Sequence, residues 1–388
     1  MKNVWCFPII LFFLLLSSCS FAGGSLKLGA ERTDKYLPLL EGKSVALVVN
    51  QTSKVDSVHL VDFMLGNGVD VKKIFAPEHG FRGHADAGEF VKGGKDKKSG
   101  LPIVSLYGKN KKPSKEHLKD VEVIVFDIQD VGARFYTYIS TLHYVMEAAE
   151  ESGVKVVVLD RPNPNDKLVD GPVLDLKHKS FVGMHPIPVI HGLTVGELAL
   201  MISEENWLDA DQGELDLTVI PMEGYTHGQE YSLPEKPSPN LPNDQSIALY
   251  PSLCFFEGTV VSVGRGTFSP FTMYGYPSQN FGAFQFTPKS INGMSKYPKH
   301  ENKQCFGVDL SNESIEGLNL SYLLDAYQKY DGKKPFFNSF FENLAGTSEL
   351  RTQIENGWSE IEIKNSWKPE LSTYKKLRQK YLLYSELK

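Results

Sequence analysis

The sequence predicts an α/β fold in which a Rossmann-like parallel-sheet domain is followed by a smaller α+β C-terminal domain. Between residue 44 and about 160, apolar runs rich in β-branched residues alternate with helix-like stretches. Residues 233–242 then carry four prolines in ten positions, a density that neither a helix nor a central strand tolerates. Beyond them come short strand-like runs followed by helices, the order of an α+β unit. The expected organisation is a signal peptide over 1–18, a Rossmann-like domain over 25–235 and a C-terminal α+β domain over 236–388.

The strands of the first domain are expected at 45–49, 71–75, 103–106, 121–128 and 156–159, and a further one at 217–220. Helices are expected at 58–65 and 138–151, where Leu142, Val145, Met146 and Ala149 recur at three- and four-residue spacing and form one apolar stripe. Thr194 reads as a helix N-cap, with Glu197 three residues on completing a capping box. In the C-terminal region the strand-like runs are 259–263 and 281–286, and the helix-like ones 318–328 and 333–344.

The chain opens on Met1-Lys2-Asn3 and an uncharged apolar run over 4–16, too short for the roughly 20 residues of a membrane span. Leu16-Ser17-Ser18-Cys19 follows, and it resembles the bacterial lipobox in which the cysteine is lipidated. Ordinary cleavage after Ala22 is the alternative. The expectation is a bacterial cell-envelope protein, periplasmic and anchored by a lipid on Cys19. Cys254 and Cys305 would then remain, in a compartment that permits a disulfide. Cys254 sits in an apolar run where a buried free thiol is equally natural.

With 41% apolar and 23% charged residues the composition is that of an ordinary globular protein, and a formal charge of -6 offers no basic surface for nucleic acid. Lysines at 92, 95, 97, 98, 109, 111, 112, 115 and 119 cluster in two stretches that read as solvated surface.

Chemistry is expected at the carboxyl ends of the parallel strands, where ligands of open α/β sheets bind. The second strand ends on Pro77-Glu78-His79-Gly80-Phe81-Arg82, which places two acid-base groups and a cation on one tip. Other tips carry Asn50, Tyr107, Asp127 with Asp130, and Arg161 with Asn163. Any one of these suits a cap or turn as well as a ligand contact. Arg134 and Tyr136 lie just beyond the fourth tip, and Glu257 and Arg265 flank a strand-like run in the second domain. Aromatic faces and hydroxyls suit sugar rings, and a guanidinium suits a carboxylate. No GxGxxG or P-loop accompanies the strands, so no nucleotide cofactor is expected, and no HExxH or paired-cysteine spacing marks a metal site.

Eight motifs carry a resemblance to one family: PEHGFRG at 77–83, DAGE at 86–89, FDIQDVGARFYTY at 126–138, DRPNP at 160–164, SPNLP at 238–242, YPS at 250–252, and FEGT with GRGT at 256–259 and 264–267. Together they resemble the NamZ-type exo-β-N-acetylmuramidases. The resemblance implies a Rossmann-like catalytic domain, a smaller C-terminal domain with the active-site cleft between them, no cofactor, and hydrolysis of terminal non-reducing MurNAc from peptidoglycan fragments in cell-wall turnover. It implies Glu78 as the catalytic glutamate. Glu89 stands first for a second carboxylate, ahead of Asp130 and Glu257, and the substrate's acetamido group is the other source of a nucleophile. Arg82 is favoured to read the lactyl carboxylate that distinguishes MurNAc from GlcNAc, with Arg134, Arg161 and Arg265 as alternatives. No protein partner is implied. The rival reading is a non-catalytic muropeptide- or glycan-binding envelope lipoprotein, and a metal-dependent hydrolase is a third.

Overall fold

Side chains alternate faces along a strand, so a strand that is apolar throughout needs cover on both sides. The computed structural model satisfies this with one large sheet; it describes residues 25–78, 80–82, 94–210 and 213–387. The expected signal peptide, Cys19, His79, Glu89 and the DAGE motif lie outside those residues. The sheet contains β1 (Ser44–Val49), β2 (Asp70–Ala76), β3 (Gly94–Lys95), β4 (Pro102–Ser105), β5 (Val123–Asp127), β6 (Lys155–Leu159) and β7 (Leu217–Ile220). Its order is β3-β4-β2-β1-β5-β6-β7, all neighbours parallel except β3 against β4. From β1 the chain winds out to β2 and β4 on one side and to β5, β6 and β7 on the other. The switch point therefore lies between β1 and β5, where Val49 is in register with Asp127.

The period of two divides the core. Val45, Leu47, Val49, Ile74, Val123, Val125, Val157 and Leu159 pack on one face, and Ala46, Val48, Phe75, Ile124, Phe126, Val156 and Val158 on the other. The second face is covered by the helices Tyr138–Ser152 and Val195–Glu204, and the same cluster runs on without a break into Phe255, Phe256, Phe271, Phe341 and Tyr374. The first of these helices ends on Gly153, whose left-handed backbone (φ 64°) caps it, and the second has the expected box between Thr194 and Glu197.

The C-terminal region holds a second, antiparallel sheet of β8 (Met273–Tyr276), β9 (Phe284–Phe286) and β10 (Cys305–Asp309), in the order β8-β10-β9. Here several expectations change. Residues 259–263 make only isolated bridges, Thr259 with Phe337 and Ser262 with Gly275. The expected 333–344 helix shrinks to Phe341–Ala345, because Phe336 and Phe337 are buried in the core. Helices at Asp244–Leu253, Glu349–Glu355, Glu360–Ser366 and Lys368–Arg378 were not foreseen.

Both ends of the described chain meet on one segment. Lys27 bridges Glu223, and His227 bridges Glu386. His227 is buried between Asp166 (Nδ1 to Oδ2, 2.6 Å) and Glu197 (Nε2 to Oε1, 2.8 Å), and Glu197 also accepts from the Leu383 amide. Burial alone would lower the His227 pKa; the hydrogen bonds to Asp166 and Glu197 outweigh it and push it up to about 9.

Arg134 joins the two sheets' surroundings. Its fully buried guanidinium donates from Nη1 to the carbonyls of Pro172 (2.7 Å) and Ile187 (2.8 Å) and from Nη2 to those of Leu344 (3.0 Å) and Ala345 (2.7 Å). Arg134→Met should remove a donor from four buried carbonyls, of which Ile187's keeps the Leu174 amide, and cost about 3–5 kcal/mol of stability, read as a lower urea midpoint at unchanged m. A midpoint within experimental error of wild type would contradict this account.

Candidate active site

Most polar groups at the strand tips bond to one another. Asn50 Oδ1 accepts from the Thr52 amide (2.9 Å) and hydroxyl (2.6 Å), and Thr52 Oγ1 accepts from the Gln129 amide at 3.0 Å. Asp130 Oδ2 accepts from the Gly132 amide at 2.7 Å, and Asn163 Nδ2 donates to the Leu193 carbonyl at 2.9 Å. Arg161 pairs with Asp127 through Nε (2.5 Å) and Nη2 (2.9 Å), tying the tips of β5 and β6 together, both side chains buried. These residues build the rim rather than line a cavity.

The tip of β2 differs. Glu78 enters a cavity of about 410 Å³ whose other walls include Tyr107, Tyr136, Thr137, Tyr138, Ser238, Asn240, Glu257, Arg265 and Phe271. Thr137 donates to Glu78 Oε2 at 3.1 Å. The Tyr107 phenol is pushed up to about 12, by burial first and then by the charge of Glu78 and a hydrogen bond to it. The Tyr136 and Tyr138 hydroxyls donate to the Pro237 carbonyl at 2.7 and 3.3 Å. The proline-rich loop is thereby held over the tip, and its Ser238 and Asn240 face the cavity. On the opposite wall Arg265 Nε donates to Glu257 Oε2 at 3.1 Å, and the guanidinium carbon lies 5.0 Å from the Phe271 ring centre. Phe271 is buried with φ 59°, a left-handed backbone unusual for a bulky residue.

Of the residues expected to form the site, Glu78, Tyr107, Tyr136, Glu257 and Arg265 come together in this cavity. Asn50, Asp130, Asn163 and Arg161 belong to the rim bonding above, and Arg134 to the junction. Arg82 is not among the described residues that line this cavity. It pairs with Asp96 through Nε (3.2 Å) and Nη2 (3.0 Å), lies over the Phe81 ring and lines a separate depression with His59, Asp62 and Glu235. Asp96 occupies the Nε–Nη2 edge of the Arg82 guanidinium. Sequence reasoning counted the Tyr138 phenol with Tyr136 as suited to a sugar but did not name it as a contact, and passed over Thr137, Ser238, Asn240 and Phe271. All but Phe271 stand inside motifs quoted above; no sequence signal marked Phe271.

Among the described residues, one group has donor atoms close enough for a metal ion: His143, Glu147 and Asp209, within 4.8 Å of one another. Its carboxylates are already paired, Glu147 with Lys112 and Asp209 with Lys179.

A carboxylate held by hydroxyls at a strand tip, inside an aromatic-walled cavity roofed by a second region, is the arrangement of a carbohydrate-processing α/β enzyme. The chain belongs to the NamZ exo-beta-N-acetylmuramidase family. The family's N-terminal model matches residues 45–245 and its C-terminal model residues 248–384. The chain is 39% identical over 379 residues to the peptidoglycan beta-N-acetylmuramidase NamZ of Bacillus subtilis (strain 168), covering 90% of this chain and 89% of that one. It also matches two crystal structures of DUF1343 family proteins from Bacteroides fragilis NCTC 9343. One has a TM-score of 0.86 at 47% identity, covering 94% of this chain and 100% of its own. The other has a TM-score of 0.78 at 28% identity, covering 93% and 99%.

Cys254, in the cavity wall, and Cys305, at the start of β10, are both buried and free. Burial pushes each thiol up to about 12, so at pH 8 only about one in 10⁴ is thiolate. In the folded protein neither should react with DTNB within minutes at pH 8, and both should react once denatured. Rapid labelling of the native chain at either position would refute the burial described here.

Proposed function

We propose that the chain hydrolyses terminal non-reducing MurNAc from peptidoglycan fragments, with Glu78 as the general acid. The observation that carries this reading is the placement of Glu78: it projects from the tip of β2 into the cavity and is contacted by Thr137. A carboxyl group so placed delivers a proton to the leaving glycosidic oxygen as the bond to the anomeric carbon breaks. Tyr107 and Thr137 fix its orientation, and the aromatic walls exclude water from the sugar faces. Among the described residues that line the cavity, the other carboxylate is Glu257, which Arg265 engages.

Turnover separates this reading from a non-catalytic glycan binder. The enzyme frees MurNAc from a chromogenic β-MurNAc glycoside, whereas a binder retains affinity without release. Glu78→Gln keeps the shape of the side chain but has no proton to give, so kcat should fall by about 10² to 10⁴ with the fold and glycoside binding retained. Activity within about threefold of wild type would move the acid to another residue.

The same reading places the protein in the cell envelope, where its substrate arises, with the lipid on Cys19 as the tether; the LSSC motif after the apolar run supports it. Mass spectrometry of the mature N-terminus should find a diacylglyceryl cysteine at position 19. An unmodified terminus at Gly23 would establish ordinary cleavage and a soluble protein.

A further inference from the structure

We propose that Arg265 forms a carboxylate subsite inside the cavity, and that this residue, not Arg82, sets the preference for MurNAc over GlcNAc. The inference rests on the muramidase reading and specifies how the substrate is read. MurNAc differs from GlcNAc by an ether-linked lactyl group, and at neutral pH that group is a carboxylate. Drawing it into a partly closed cavity requires a cation that can form paired hydrogen bonds with it.

The four arginines singled out in the sequence divide cleanly. Arg134 spends its two Nη groups on four backbone carbonyls. Arg161 is bidentate to Asp127, and Arg82 to Asp96. Arg265 is the one cationic side chain among the described residues that line the cavity. Glu257 engages only its Nε, and its Nη edge has no hydrogen-bonded partner among the described residues. That edge is the part of a guanidinium that grips a carboxylate with two parallel bonds.

The surroundings hold Arg265 in place before any ligand arrives. Gly264 (φ +76°) and Gly266 (φ +83°) flank it in left-handed conformations, and a Cβ on Gly266 would stand 2.6 Å from the Lys289 carbonyl oxygen. The turn is therefore restricted to glycine at both positions. Phe271 supports the guanidinium face. Lys299 in turn fixes the backbone around Glu257, donating to the carbonyls of Phe256 (2.7 Å), Glu257 (3.1 Å) and Thr259 (2.7 Å). Glu257 acts through Arg265 as a positioning residue. Arg265 itself would touch substrate. An uncharged sugar at the same place leaves the Nη donors facing no acceptor of matching charge, which is a penalty against GlcNAc as well as a gain for MurNAc.

The test uses the full chain and two chromogenic β-glycosides, one of MurNAc and one of MurNAc with its lactyl carboxylate converted to the methylamide. Wild type should favour the acid. Arg265→Met should lower kcat/KM for the acid by about 10- to 100-fold and leave the amide within about threefold, so the preference collapses. Arg265→Lys, which keeps the charge without the planar fork, should retain part of the preference and serves if the Met variant fails to fold. Arg82→Met should keep the wild-type ratio. Equal losses on both glycosides, or an unchanged ratio in a folded Arg265 variant, would overturn the proposal. A wild-type protein that releases no MurNAc from either glycoside strikes the muramidase reading itself.

Discussion

The buried guanidinium of Arg134 is the contact on which the geometry of the cavity depends. It stands in the sequence immediately before Phe135, Tyr136, Thr137 and Tyr138, all of which line the cavity. Turning Arg134 back toward the carbonyls at the end of the Phe341–Ala345 helix fixes how this segment leaves the sheet and therefore where its hydroxyls point. The same contact sets the distance of the C-terminal region from β5. Among the described residues no carboxylate offsets the charge, and burial pulls the arginine down to about 9. Carbonyl dipoles alone hold it, which makes the contact intolerant of small shifts: a Cβ on Gly346 would lie 2.6 Å from Nη2.

Around that fixed point the molecule divides its polar groups by task. Those at the tips of β1, β5 and β6 mostly bind one another, with Asn50 Nδ2 and Asp130 Oδ1 left buried without a hydrogen bond among the described residues. Those from the tip of β2, the 136–138 segment, the proline-rich loop and the Glu257–Arg265 wall face a common space. Buried polar groups stay where their hydrogen bonds are complete, and donors and acceptors left for a ligand collect where the bonding is incomplete. The site is thus set apart by polar groups that line a cavity as well as bonding within the fold.

The first region was legible because it obeys local rules. The strands announce themselves as apolar β-branched runs, the Tyr138–Ser152 helix as a stripe, and the next helix by its Thr194–Glu197 box. The C-terminal region hides its elements. The Asp244–Leu253 helix contains Pro251, which reads as a breaker, and β10 contains Gly307, needed because a Cβ there would meet the Tyr274 carbonyl oxygen at 1.9 Å. Neither constraint is local in sequence. For the site, Glu78 was reachable from its place after a strand. The choice among arginines was not, because it turns on which carboxylates lie nearby in space: Asp96 is fourteen positions from Arg82, and Asp127 is thirty-four from Arg161.

The meeting of both ends of the described chain on the 223–227 segment has a consequence for orientation. If the lipid sits on Cys19, Leu26 lies only seven positions further along the chain, and Lys27 is already paired with Glu223. A fully extended tether of that length reaches at most about 25 Å. The protein would then ride close to the bilayer with the 223–227 surface turned toward it, and the C-terminus, paired at His227, would face the same way. Substrate would have to be gathered from a thin layer above the membrane rather than from the full depth of the wall.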